Sequence, residues 1–196
     1  MASESGCSLA PEGEKCGGGT VTTRIAHSKM SASSIWYWWY GYRIGYGFGE
    51  GALDGRAAWV SNHWGHSSWL QLDTGKVQSV AGVVTQGMGR HWWGYPYNRY
   101  RVTAFKVQVS SDGHKWRWVE CGRIFEGNHD TQTHKRNEFS RPVKARYVRI
   151  YPHSWYWGPG LRAGALLCLK KCEKKHLAYR LDKSLISTTH GPSLHV

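Results

Sequence analysis

Apolar and polar residues alternate in short runs along this chain, with turn residues between them. In Ser68-Trp-Leu-Gln-Leu-Asp73, Leu70 and Leu72 fall on one face, with Trp69, Gln71 and Asp73 on the other. Phe105-Lys-Val-Gln-Val109 alternates in the same way. Ser110-Ser-Asp-Gly113 then makes a turn, and Trp116 to Glu120 resumes as a strand, which is a hairpin signal. Ala145-Arg-Tyr-Val-Arg-Ile-Tyr151 sets Val148 and Ile150 opposite Tyr147, Arg149 and Tyr151. Val80 to Thr85 is a continuous apolar run, suited to a strand buried on both faces. Ile25 to Ser34 and Leu161 to Leu169 read as the first and last strands, and Gly51 to Trp59 as a turn with an apolar stop. Helical periodicity is scarce. About eight short strands on long connections predict an all-β sandwich or barrel.

Three stretches break the alternation. Ile35 to Glu50 holds eight aromatic residues and four glycines. Glycine weakens a strand interior, so this stretch reads as a loop carrying its rings outward, with Trp36, Tyr37, Trp38, Trp39, Tyr40 and Arg43 as candidate ligand contacts. Arg90 to Arg101 alternates bases with rings, and offers Arg90, Trp92, Trp93, Tyr95, Tyr97 and Arg99. Ser154 to Gly160 offers Tyr156 and Trp157. Such rings can lie in a membrane interface while arginine meets lipid phosphate, or stack on a sugar face. Strands also favour Trp and Tyr, so core packing is the competing role for these rings.

The chain has 196 residues, the length of one domain with tails. Residues 1–24 read as a flexible lead-in, 25–172 as the folded domain and 173–196 as a basic mobile tail. A formal charge of +13, from 26 Lys and Arg against 13 Asp and Glu, favours anionic partners such as membrane surfaces and acidic glycans. Cys7, Cys16, Cys168 and Cys172 lie near the two ends, as if stapling the termini in an oxidising compartment. Cys121, after an apparent strand, reads as a small buried hydrophobe with a free thiol. The first nineteen residues hold no apolar run of signal-peptide type. His63 and His66 lack a third ligand at diagnostic spacing, so no metal is expected. No cofactor motif and no nucleophile–base set has a recognisable context, so neither cofactor nor catalysis is expected. Nucleic acid is disfavoured for want of any module signature.

Several blocks resemble the discoidin family, also called coagulation factor V/VIII C-type domains. They include Met30-Ser-Ala-Ser-Ser34, Ala52-Leu-Asp-Gly-Arg-Ala-Ala-Trp59, Trp69-Leu-Gln-Leu-Asp73, Val83-Val-Thr-Gln-Gly87, Phe105 to Gly113 and Phe125 to Asp130. Asn137-Glu-Phe139 with Pro142 to Pro152 is the most specific block. Arg162 to Cys172 is similar in spacing to a secreted adhesive member of the family. The resemblance implies an eight-stranded jelly-roll β-sandwich that binds ligands through loops protruding at one end. Ligands of the family include phosphatidylserine-rich membranes, galactose-type sugars, collagen and other surface proteins. It also implies a bridge from Cys16 to Cys168. Cys7 and Cys172 are expected to form an outer bridge nested around that one. The expected function is a secreted, non-catalytic module attaching to phospholipid headgroups. Its alternatives are a lectin for galactose-type glycans and a disulfide-linked adhesive matrix oligomer. The usual Pro-Leu-Gly lead-in is Gly17-Gly-Gly19 here, the second loop is longer than usual, and Arg101 stands where Trp is common.

Overall fold

The computed structural model describes residues 15–36, 51–55, 58–89 and 99–169. Its strands are β1 (Thr20–Thr23), β2 (Met30–Ala32), β3 (Leu70–Gln86), β4 (Arg101–Ser110), β5 (Arg117–Trp118), β6 (Phe125–Glu126), β7 (Lys135–Tyr156) and β8 (Arg162–Cys168). The described helical elements include short 3-10 turns at His27–Lys29 and Val119–Gly122. The jelly-roll expectation holds.

Two long strands build the sandwich. β3 and β7 pair antiparallel in three sections: residues 70–73 with 147–150, 78–80 with 143–145, and 82–85 with 135–138. Register breaks at Asp73/Gln78 and Val80/Gly82 separate these sections. Bulges bend a strand and raise its twist, so β3 and β7 leave one sheet and enter the other. Their first section joins β2 and β4, with β5 and β6 beyond β4. Their last section joins β8, which carries β1 at its edge. At the second bend the backbone of Asn137 occupies the place a side chain on Gly82 would need.

Period-2 alternation sends one face of each layer inward. Leu70, Leu72, Phe105, Val107, Val148 and Ile150 come from the front layer, and Val83, Ala163 and Ala165 from the back. Trp59 is fully buried among them and donates its indole N–H to the Ser34 carbonyl at 2.9 Å. Each fully buried Leu or Phe contributes about 1.5–3 kcal/mol.

Some expectations are corrected. The lead-in does not extend to residue 24, because Thr20–Thr23 is a strand on β8 and Thr20 accepts a bond from Arg136. The runs at 68–73 and 80–85 are one bent strand rather than two. Cys16 is disulfide-bonded to Cys168, with Cα atoms 5.1 Å apart. Cys121 is no buried free thiol. It is exposed, holds φ of 59° in a turn after Val119, and is disulfide-bonded to a partner outside the described residues. The expected pairing of Cys7 with Cys172 also falls outside the described residues.

Candidate functional site

One end of the sandwich gathers the starts of β4 and β8, the end of β7, and the loops around residues 51–68, 87–89 and 127–134. Arg162 ties them together. Its guanidinium is buried and donates to three carbonyls: Nε to Gly87 at 2.7 Å, Nη1 to Gly55 at 2.8 Å and Nη2 to Thr131 at 2.8 Å. Burial pushes its pKa down, and the nearby Asp54 carboxylate opposes that shift. Gln86 reinforces the arrangement by donating to Gln132 O and Asp54 Oδ1 and accepting from the Asp54 N–H. His134 Nε2 lies 2.9 Å from the same carboxylate, and chiefly this bond holds Asp54 below the usual carboxylate range.

A small apolar floor closes this end. Ala58, Val60, Met88 and Tyr100 pack together, with Trp36 half-buried against them. Trp36 donates its backbone N–H to the Val60 carbonyl at 2.9 Å. A side chain on Gly158 would approach the Tyr100 ring to 2.5 Å, so the chain after Trp157 closes over that ring only as glycine.

Rings and cations stand above the floor. Arg101 pairs with Tyr156 across β4 and β7, and its Cζ sits 4.1 Å from the Tyr156 ring centre. Arg99 Cζ lies 5.5 Å over the Trp157 ring. Tyr156 and Trp157 are each 43% exposed. Trp157 holds φ of 62°, a left-handed conformation that bulky side chains seldom adopt and that concentrates at ligand sites. Trp64, 44% exposed, stands edge-on to Tyr100 at 5.9 Å. His66 packs against His153 and Trp155, at 5.1 and 6.1 Å.

Of the candidates read from the sequence, Arg99, Tyr156 and Trp157 come together at this end, while Trp36 belongs mainly to its floor. Tyr37, Trp38, Trp39, Tyr40, Arg43, Arg90, Trp92, Trp93, Tyr95 and Tyr97 lie outside the described residues. Sequence reasoning missed Trp64, which was passed over beside the two histidines. It also missed Arg162, whose partners are main-chain carbonyls distant in sequence.

A family model for the F5/8 type C domain matches residues 29–164. The chain belongs to this family. Among F5/8 type C relatives, lactadherin of Mus musculus is 36% identical over 156 residues, which cover 76% of this chain and 33% of lactadherin. Retinoschisin of Takifugu rubripes is 32% identical over 123 residues, 59% of this chain and 40% of that protein. The chain thus spans well under half the length of either relative. Discoidin II of Dictyostelium discoideum superposes with a TM-score of 0.56 at 19% identity, covering 78% of this chain and 60% of that one. That likeness shows the shared F5/8 type C fold.

Proposed function

We propose that this F5/8 type C domain is a non-catalytic extracellular module that attaches to anionic cell surfaces, with phospholipid headgroups as its ligands. The observation that carries this reading is the clustering of exposed Trp64, Tyr156 and Trp157 with Arg99 and Arg101 at one end. The chain enters the aromatic stretches 37–50 and 90–98 from Trp36 and Gly89, at this same end. Arginine draws phosphate close, and each basic residue near an anionic leaflet contributes about 1 kcal/mol. The rings then occupy the interface, apolar body inward and polar edge in water. A charge of +13 steers the approach, and the Cys16–Cys168 bridge suits an oxidising compartment.

The test is co-sedimentation with phosphatidylserine-containing vesicles against pure phosphatidylcholine. Binding should require phosphatidylserine and weaken steeply between low and high salt. Equal binding to both vesicles would overturn the reading. Salt-independent binding displaced by galactose would instead assign the end loops to a lectin.

A further inference from the structure

The outer face of the front layer carries a second constellation, away from the loop end. Gln71, Arg149, Gln108 and Trp118 lie in one register row across β3, β7, β4 and β5. The Arg149 guanidinium is held between two indoles, 3.9 Å from the Trp69 ring centre and 3.7 Å from that of Trp116. Its Nε donates to Gln71 Oε1 at 2.9 Å. Both flat faces and one edge are thereby used, and the group is fixed in plane and rotation. Among the described residues its two Nη nitrogens have no hydrogen-bond partner, and neither is buried. Trp118, 43% exposed, lies beside Tyr151 at 5.1 Å, and Tyr151 donates to Gln108 at 2.8 Å.

Charge on this face selects an anion. Among the described residues in the register rows flanking Arg149, the carboxylate is Asp73, and Arg146 neutralises it through two bonds of 2.8 Å. Lys106, opposite Tyr151, adds a cation. A guanidinium whose faces are stacked can be satisfied only in its own plane, where its fork matches two oxygens of a sulfate or carboxylate. An exposed indole in the same row supplies a platform for a pyranose ring. Gln71 and Gln108 keep the face polar, which suits a hydrated chain better than a lipid interior.

We propose that this sheet face is a binding site for a sulfated linear polysaccharide, with Arg149 as its oxyanion receptor and Trp118 as its stacking platform. The site is separate from the loop end and does not depend on what the loops bind.

The experiment is calorimetric titration of the whole chain with a fully sulfated heparin-type hexasaccharide and with the same hexasaccharide desulfated. Phosphatidylserine vesicles form a parallel arm. The sulfated probe should bind, and desulfation should weaken it about tenfold or more, as loss of a charge-assisted pair implies. Arg149→Lys keeps the charge and loses the fork, and should weaken the sulfated probe by about tenfold while leaving vesicle binding as in the wild type. Trp118→Ala should weaken it severalfold. Wild-type affinity in Arg149→Lys, or equal affinity for both hexasaccharides, would overturn the proposal. Amide NMR of the wild type gives a reading free of any folding defect. Shifts induced by the sulfated probe should centre on Gln71, Gln108, Arg149 and Trp118, and shifts confined to Arg99, Tyr156 and Trp157 would overturn it.

Discussion

Arg162 is 3% exposed, and its three bonded carbonyls come from residues 55, 87 and 131, in three separate loops. Arg162→Met should strand those carbonyls and cost about 1–3 kcal/mol for each one left buried without a donor. Chemical denaturation measures it, and an unchanged midpoint would show that the loop end does not hang on this residue. Arg162→Lys should recover little, since one ammonium cannot serve three directions at once. This anchor was illegible in the sequence because its partners are main-chain oxygens of residues 55, 87 and 131, far apart along the chain. Trp157 was legible, because a ring in Trp-Gly-Pro-Gly has no strand to join. Tyr100 closes the ring-bearing stretch from Arg90 to Arg101. It is buried because Gly158 and Gly160 let the chain close upon it.

Strands were legible wherever alternation lasted four residues or more. β4, the second half of β7 and β8 sit where the pattern puts them. The bent β3 read as two strands because Asp73-Thr-Gly-Lys76 has the composition of a turn, although the structure uses it as a bulge. β1 escaped because Thr-Val-Thr-Thr is short and lies at a sheet edge, where no apolar face marks it. Its staple can be tested directly. Replacing Cys16 and Cys168 by Ala should cost about 2–5 kcal/mol and loosen β1 first, seen as faster amide exchange at residues 20–23. Exchange unchanged there would mean that the β1–β8 ladder holds alone. The β4–β5 turn makes a second prediction. Asp112 accepts from the backbone N–H groups of His114 and Lys115 at 2.8 Å each and from Ser110 Oγ at 3.0 Å, which lowers its pKa from 3.8 to about 2. A depressed folded pKa stabilises above the unfolded value and is lost as pH falls through the folded one. Asp112→Ala should therefore melt below the wild type at pH 5, and the gap should close as pH drops from 3.8 toward 2. A gap constant with pH would assign the effect to the turn's backbone instead.

At the scale of the whole molecule, the sandwich closes one end with the apolar floor of Ala58, Val60, Met88 and Tyr100. Fold and family were legible from ordered blocks of sequence. The site was legible in outline only, since pattern reading distinguishes rings in loops from rings in strands but not which rings face water. Arg99, Tyr156 and Trp157 now stand on an exposed end, and Trp38, Trp39, Trp92 and Trp93 are proposed to stand with them. Replacing those four tryptophans by Ala, and following thermal melting together with phosphatidylserine-vesicle binding, tests this most directly. The variant should melt as the wild type does and lose vesicle binding. If the rings were core, truncating even one would cost about 3–5 kcal/mol and the variant would not fold. Failure to fold, or normal melting with vesicle binding intact, would contradict the account.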